Sequence, residues 1–249
     1  MTVVLVGVGA DEEHLRPGPS VDSNGRYEYI PIPETWSTTE DRTYGNLQLE
    51  HQDAVASDII DRIRPKGEGD DWITDEGEIA IHPIHYDPDF SVQTFGDRRG
   101  GGGTGSTLVR ELSSDDILGF YTGLRGPEGH LNRYIYGYFT VESVNDLAQF
   151  SGEEYRARLQ SFSENAHAKR LEAEGEPKHN DVVVVNGKDP GEQLTQPYQI
   201  SKWLGRAPWY QLTSEFVKEF NVENGEVAVS RKPALTLNIS NEDFISKVT

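Results

Sequence analysis

Apolar residues form runs of strand length along much of this chain. Residues 2–8 contain four valines and one leucine, and residues 181–186 contain four consecutive valines. Short apolar runs that are bounded by glycine or polar residues are typical of buried strands. Residues 115–124 and 133–144 continue this pattern, and the Gly-Pro-containing segment between them indicates a turn. We therefore predict two buried strands and one long hairpin.

Helical spacing of apolar residues marks further segments. Val55, Ile59 and Ile63 are spaced for one face of a helix, and Pro65 would end that helix. The predicted helices are residues 51–64, 152–162, 165–174 and 214–220, and a short turn or helix is predicted over residues 194–204.

Shorter patterns complete the predicted fold. Strands are predicted at residues 27–33, 78–84 and, as a closing hairpin, 226–230 with 234–239, and exposed loops at 66–78 and 187–191. Strands outnumber helices and do not alternate with them regularly, which favours an α+β fold over a doubly wound one. We predict a single domain over residues 1–249, with a mixed, mostly antiparallel sheet or partly open barrel and flanking helices. Residues 206–249 would form a C-terminal helix and hairpin.

The composition excludes several classes of site. The chain contains no cysteine, which removes disulfides, thiolate nucleophiles and cysteine-ligated zinc. Any metal ion would bind through His, Asp or Glu. No run approaches the roughly 18 apolar residues of a membrane span, and the N-terminal strand lacks the basic flank of a signal peptide. We expect a soluble, cytoplasmic protein with no membrane partner.

The charge is strongly negative. There are 42 acidic against 23 basic residues, a formal net charge of −19, and arginine outnumbers lysine 15 to 8. Because the acidic residues are spread through a chain of normal hydrophobic content, we interpret them as a surface adapted to molar salt, as in halophilic archaea. At about 1 M salt the Debye length is roughly 3 Å, so net charge does not exclude a nucleic-acid partner.

Two glycine-rich segments imitate nucleotide-binding loops. Gly7 and Gly9 follow the first strand, but Glu12 stands at the position of the third glycine of a dinucleotide-binding motif. The segment Gly100–Thr107 resembles a phosphate-binding loop but lacks its lysine. We reject both motifs and predict a flexible loop at the second, where the neighbouring arginines could still contact a phosphate.

Titratable residues are concentrated in residues 82–97. On an extended chain His85, Asp87 and Asp89 project to one side, and Ile84 and Tyr86 project to the other. Two prolines in the segment remove backbone donors, which predicts an edge strand that runs into a loop. Loops of this kind carry function more often than packing.

Two other segments have functional potential. Tyr134, Tyr136 and Tyr138 alternate along one predicted strand, so they should share one face, either packed or available to stack on a base. The predicted helix at 165–174 carries Asn165, His167, Lys169 and Arg170 in an otherwise acidic protein. The structural alternatives are core packing for the tyrosines and a solvated helix face for the basic residues of the 165–174 segment.

A series of short motifs runs in order along the chain. The motifs are the Val-Leu-Val strand, Tyr29-Ile30-Pro31-Ile32-Pro33, Thr43-Tyr44, His85-Tyr86-Asp87-Pro88-Asp89, Phe95-Gly96-Asp97, the strand from Asp116 to Leu124, Tyr136-Gly137-Tyr138-Phe139, Asn165-x-His167-x-Lys169-Arg170 and Val185-x-Gly187. Their order resembles the nucleotide-modification-associated domain family of the third type. The resemblance covers most of residues 2–205 and implies a role beside nucleic-acid base modification, without an established reaction. The hairpin also resembles strands of PUA-like and EVE-like barrels, which receive a flipped base.

Our first hypothesis is a binding module. A pocket between the 82–97 segment and the tyrosine hairpin would receive a modified base or nucleotide, with tyrosine stacking, an aspartate accepting from the exocyclic amine, and an arginine holding a phosphate. The predicted ligand-binding residues are Tyr44, Tyr86, Arg98, Tyr121, Tyr136, Asn165, His167, Lys169 and Arg170.

Two alternatives remain open. An enzyme acting on a base or nucleotide would use His85 as general base or metal ligand, with Asp87 and Asp97 as its partners. In a structural alternative, His85 and the aspartates form a hydrogen-bonded staple that positions Pro88 and Phe90, and both nitrogens of His85 bond to backbone. The sequence does not identify a cofactor, a particular metal ion or a protein partner.

Overall fold

A computed structural model describes residues 1–65, 71–98, 104–174, 182–205, 210–222 and 234–249. Its main feature is a curled six-stranded sheet in the order β12-β1-β7-β8-β9-β6. The β1–β7 pair is parallel and the other pairs are antiparallel. The predicted α+β class with a mixed, mostly antiparallel sheet is confirmed. The strands are β1 (Val3–Gly7), β6 (Thr94–Arg98), β7 (Ile117–Arg125), β8 (Leu131–Asp146), β9 (Val182–Gln199) and β12 (Leu235–Leu237).

Short pairs of strands lie outside this sheet. β2 pairs with β4, β3 with β5, and β10 with β11, all antiparallel. These strands are β2 (Leu15–Arg16), β3 (Ile32–Pro33), β4 (Arg62–Ile63), β5 (Ile84–His85), β10 (Ser201–Trp203) and β11 (Tyr210–Leu212).

Helices flank the sheet, and none in the described part of the chain combines the length and apolar character needed to cross a membrane. The predicted helices near 152–162, 165–174 and 214–220 are confirmed as α3, α4 and α5. The helices are α1 (Glu76–Ile81), α2 (Thr104–Glu111), α3 (Gly152–Ser161), α4 (Ala166–Ala173), α5 (Ser214–Glu219) and α6 (Asn241–Val248), with 3₁₀ turns at Ala56–Asp58 and Leu147–Gln149.

The sheet buries apolar residues on both faces, which explains its continuous apolar runs. Tyr136 and Phe139 of β8 lie in one core, and Ile135 and Tyr138 lie in the other. The register of β8 shifts between Ile135 and Gly137. A bulge moves the following side chain to the opposite face. The prediction that Tyr134, Tyr136 and Tyr138 share a face is therefore wrong for Tyr138.

Several predicted elements differ from the structure where tertiary contacts or caps override local pattern. Residues 51–64 do not form the predicted helix; they contain turns, the 3₁₀ turn Ala56–Asp58 and strand β4. The Ser57 N–H donates to the Tyr44 carbonyl, which ties this segment to a distant residue. The strand predicted at 78–84 is mostly helix α1, because the Asp75 carboxylate caps it by accepting from the Glu78 N–H at 3.0 Å.

The loop predicted at 187–191 and the turn at 194–204 are largely strand. β9 continues through them because the 16-residue strand β8 provides a partner along its length, with register shifts that accommodate Pro190. Of the closing hairpin, β12 pairs with β1, and residues 226–230 lie outside the described residues. Most of the predicted glycine-rich loop also lies outside them, as do residues 66–70 of the predicted acidic loop, whereas α2 begins at Thr104.

Candidate functional site

The pairing of β3 with β5 places Glu34 beside His85. Ile32 pairs with His85 in this ladder, and the Glu34 N–H donates to the Pro83 carbonyl at 2.9 Å. The Nδ1 of His85 lies 3.3 Å from Oε2 of Glu34. Because a carboxylate only accepts, the Nδ1 carries the proton of a neutral His85 ring. The Nε2 of His85 is then left with a free lone pair.

Helix α4 brings a second histidine to this lone pair. Asn165 caps the helix, its side chain accepting from the His167 N–H at 3.0 Å. The cap fixes the first turn and directs His167 toward β5 and β6. Nε2 of His167 lies 3.3 Å from Nε2 of His85. Gly96 of β6 leaves the space, because a Cβ there would lie 2.5 Å from Cδ2 of His167.

Asp87 completes a group of three side chains, which we name the His–Asp–His cluster. Its Oδ2 lies 3.5 Å from Nε2 of His167 and 4.0 Å from Nε2 of His85. The Gly96 N–H donates to both carboxylate oxygens, at 3.1 and 2.9 Å. His85 and Asp87 are each 6% exposed. The cluster offers two imidazole nitrogens and one carboxylate oxygen, all within 4.8 Å of one another, a set that a metal ion could use.

Burial sets the protonation of the cluster. It lowers the pKa of His85, and the positive charge of Arg170 lowers it further. Burial and the neighbouring His85 lower the pKa of His167 well below its usual range. Burial also raises the pKa of Asp87 well above its usual range, although the hydrogen bond from Gly96 opposes this. Both rings are therefore neutral at neutral pH.

Two buried carboxylates hold α4 against the 34–42 segment. The Arg170 Nε donates to both oxygens of Glu34 at 2.8 Å, and the Lys169 Nζ donates to Glu40 at 3.1 Å. Arg42 donates to Glu40 as well, through Nε at 2.9 Å. Burial raises the pKa of each carboxyl, but these hydrogen bonds and charges, with His85 for Glu34, outweigh it and bring both pKa values to about 2.

A shallow cleft of about 20 Å³ lies beside the cluster. Trp36 is 47% exposed, and the guanidinium carbons of Arg98 and Arg170 lie 5.1 and 5.0 Å from the centroid of its ring. His167 belongs to both the cleft and the cluster. Indole faces stack on bases and guanidinium groups bind phosphates. The lining residues are Trp36, Arg98, His167, Arg170, Leu171, Glu174 and Val182.

Most of the chain matches one protein family. The model of the family described as nucleotide modification associated domain 3 matches residues 2–238. The chain belongs to this family. The match confirms the resemblance drawn from the sequence motifs and extends it beyond residue 205, and it associates the protein with nucleotide modification. A search of curated proteins finds no match, and a search of solved structures finds none either.

In this nucleotide modification associated domain, the four tyrosines that were predicted to bind a ligand lie outside the Trp36 cleft. Tyr44, Tyr121 and Tyr136 are fully buried, and Tyr136 stacks on Tyr29 within the core at 4.7 Å between ring centroids. Tyr86 is half-buried, and the Arg42 guanidinium carbon lies 4.1 Å from its ring centroid. None of these four predicted residues lines the Trp36 cleft.

The other predicted site residues lie in the cluster, in structural contacts or in the cleft. His85, Asp87 and His167 are brought together, whereas the three-ligand group does not include Asp97, whose carboxylate accepts from the Arg98 N–H at 2.7 Å. Burial raises the pKa of Asp97. Asn165 acts as a helix cap and Lys169 pairs with a buried glutamate, as described above. Arg98 and Arg170 line the cleft.

Backbone partners for both nitrogens of His85 would have favoured the staple alternative. Both recorded partners are side chains, those of Glu34 and His167. Other contacts position the loop. Phe90 packs against three aromatic rings, and the Asp89 carboxylate accepts from Arg42 at 2.7 Å.

Sequence patterns missed Glu34, Trp36 and Glu40. The first two follow a strand that the motifs had marked, and an acidic residue with an aromatic one at a strand end was the available signal. The long-range β3–β5 pairing brings Glu34 to His85. A separate cavity of about 560 Å³ near Arg26 and Arg125 contains no member of the His–Asp–His cluster.

Proposed function

We propose that this protein is an enzyme that acts on a nucleotide or nucleobase, with the His–Asp–His cluster as its reacting site. The family match associates the chain with nucleotide modification. The observation that carries the proposal is the convergence of His85, His167 and Asp87 on one point, beside a shallow cleft whose wall includes His167. Buried polar groups that are not needed for packing are typical of functional sites.

Glu34 gives His85 the arrangement of a general base. Its carboxylate fixes the Nδ1 proton of His85, so the Nε2 lone pair faces the centre of the cluster. A carboxylate that orients imidazole in this way also stabilises the imidazolium that forms on proton transfer. Glu34 is a positioning residue in this proposal, because it acts through His85.

The Trp36 cleft fits the substrate class. A base would stack on the exposed indole of Trp36, and phosphate oxygens would bind Arg98 or Arg170. His167 lies in the wall of the cleft. A nucleotide seated there would present a reacting atom to His167 and, beyond it, to His85.

The test is turnover measured by mass spectrometry. Purified protein would be incubated with ribo- and deoxyribonucleotides and with DNA and RNA digested after the reaction, and changes in nucleoside mass would be recorded. We expect His85→Gln and His167→Gln each to lower turnover by at least about 100-fold, the scale of removing a general base. Trp36→Ala should raise KM by roughly tenfold, because one base–indole stack contributes about 1–3 kcal/mol.

His14→Gln is the matched control. His14 is also buried and hydrogen-bonded to a carboxylate, that of Asp11 at 3.0 Å, but it lies outside the cluster. It should leave turnover within twofold. Turnover that survives in both cluster variants at the wild-type rate would contradict the proposal.

A reader of modified bases is the second candidate. The exposed Trp36 beside two arginines favours it, since binding needs no proton transfer. This candidate predicts nucleotide binding that Trp36→Ala weakens and His85→Gln leaves within about twofold, with no change in nucleoside mass.

A further inference from the structure

We propose that His85, Asp87 and His167 bind one divalent transition-metal ion, through Nε2 of each histidine and one oxygen of the aspartate. With the ion bound, Nε2 of His85 is a ligand and cannot also accept a proton, so the ion would take the place of the His85 general base. The use of this ion in catalysis rests on the proposed function, but its binding does not. Among the described residues, these three are the group of His, Asp and Glu side chains whose ligand atoms converge in this way.

The three ligand atoms have the spacing of a coordination shell. The Nε2 atoms are 3.3 Å apart, and Oδ2 of Asp87 lies 3.5 and 4.0 Å from them. A point equidistant from three atoms so placed lies about 2.1 Å from each, and Zn–N and Zn–O bonds measure roughly 2.0–2.2 Å. The side chains need no large movement to close around an ion.

The donor set narrows the choice of metal. Two imidazole nitrogens with one carboxylate oxygen suit zinc and ferrous iron, and related ions of the first transition row. Magnesium and calcium prefer sites made of oxygen ligands. We therefore infer an ion of the zinc or ferrous class.

The surroundings of the ligands match those of metal sites. A metal-binding histidine usually donates its other ring N–H to a carboxylate or carbonyl, which fixes the ring. Nδ1 of His85 has such a partner in Glu34 at 3.3 Å. The Gly96 N–H donates to both oxygens of the Asp87 carboxylate and so fixes the orientation of this ligand. Glu34 and Gly96 would position the ligands without touching the ion.

The ligand count leaves room for a substrate. Three protein ligands are typical of catalytic zinc, whereas structural zinc usually has four. His167 lies at the cleft that carries Trp36. A molecule bound in the cleft would therefore have access to the ion's remaining coordination positions.

The first experiment measures binding directly in the full-length chain. The protein would be stripped with a chelator and then dialysed against zinc or cobalt(II) alone. The dialysis buffer would contain molar KCl, because salt screens weak metal binding to the acidic surface. Bound metal would be measured by elemental analysis and by cobalt absorption. We expect one equivalent of metal, and at least about 100-fold weaker affinity in His167→Gln and in Asp87→Asn. His14→Gln should bind like the wild type.

Glu34→Gln tests the positioning role, with Asp11→Asn as its control. Both residues are buried carboxylates that pair with a histidine and an arginine, but the partners of Asp11 are His14 and Arg133, outside the His–Asp–His cluster. Glu34→Gln should weaken zinc binding by about 10- to 100-fold. Asp11→Asn should leave zinc affinity within about twofold even where it lowers the Tm of the metal-free protein.

The outcomes separate this inference from the proposed function. Less than about a tenth of an equivalent of zinc or cobalt in the wild type, or equal affinity in His167→Gln, would overturn the metal site. If a variant fails to fold, the Tm of the wild type with and without zinc tests the site instead. An ion that binds only the folded state raises the Tm, so an unchanged Tm would count against the site. Turnover that persists in chelator-stripped protein would refute a catalytic metal while leaving the enzyme proposal standing.

Discussion

Buried carboxylates organise this site at the scale of single residues. Glu34 and Glu40 are 4% and 7% exposed, and each binds a cation of α4. Removing one partner of a buried ion pair leaves an uncompensated charge, which is strongly destabilising. The two glutamates therefore hold the helix that carries His167 against the segment that carries Trp36.

Glu40→Gln should lower stability in a pH-dependent way. Burial raises the pKa of Glu40, but Arg42 and Lys169 outweigh it, so the pKa falls from 4.5 to about 2. A lowered pKa contributes stability that is complete above about pH 5 and is lost as the pH falls toward 2. The contribution is roughly 3 kcal/mol at neutral pH. Urea unfolding of both proteins should show a gap in stability at pH 7 that narrows at pH 3. A constant gap would contradict the prediction.

Helix caps and strand pairing position the site at the scale of elements. β3 pairs with β5, β6 supplies Gly96, and the first turn of α4 supplies His167. The position of His167 depends on the N-cap of α4, because the cap accepts from the histidine's own backbone N–H at 3.0 Å. Loss of this cap should therefore change the position of His167 as well as the stability of α4.

Asn165→Ala should therefore differ from Thr213→Ala. Thr213 caps α5 by accepting from the Phe216 N–H at 3.1 Å, away from the site. Each substitution should lower stability by about 1 kcal/mol. Asn165→Ala should also weaken zinc affinity by about tenfold, whereas Thr213→Ala should leave it unchanged. Calorimetric titration and thermal unfolding would measure the two effects, and equal zinc affinities would contradict the role of the cap.

Net charge acts at the scale of the whole molecule. With 42 acidic and 23 basic residues, self-repulsion opposes the compact state, and salt screens it. The Debye length falls from about 30 Å at 0.01 M to about 3 Å at 1 M salt. Buried pairs such as Lys169 with Glu40 are screened much less than exposed charges.

Stability should consequently rise with salt. We expect the Tm to increase between 0.01 M and 1 M KCl, because repulsion among exposed acids weakens more than the buried ion pairs do. Sucrose at matched osmolarity is the control for excluded-solute effects. A Tm that stays constant or falls with KCl would contradict the interpretation of the surface.

The sequence predicted the parts of the fold that depend on local pattern. The buried strand at 2–8, the hairpin of β7 and β8, and helices α3 to α5 follow from runs and spacing of apolar residues. It failed for residues 51–64 and for β9 beyond residue 186, where distant partners decide the backbone. The bulge near Gly137 places Tyr136 and Tyr138 on opposite faces of the sheet. No local sequence pattern predicts this bulge as clearly as the apolar spacing predicts the strands and helices.

His85, Asp87 and His167 could be selected as candidates from the sequence, because titratable residues near prolines and in a basic helix are unusual in an acidic chain. The sequence motifs also identified the family. Which candidates meet was decided by tertiary structure alone. The β3–β5 pairing and the packing of α4 bring Glu34 and His167 to His85 across 51 and 82 residues. Tyr121 and Tyr136 are buried in the two cores on opposite faces of the main sheet, where there is no room for a base.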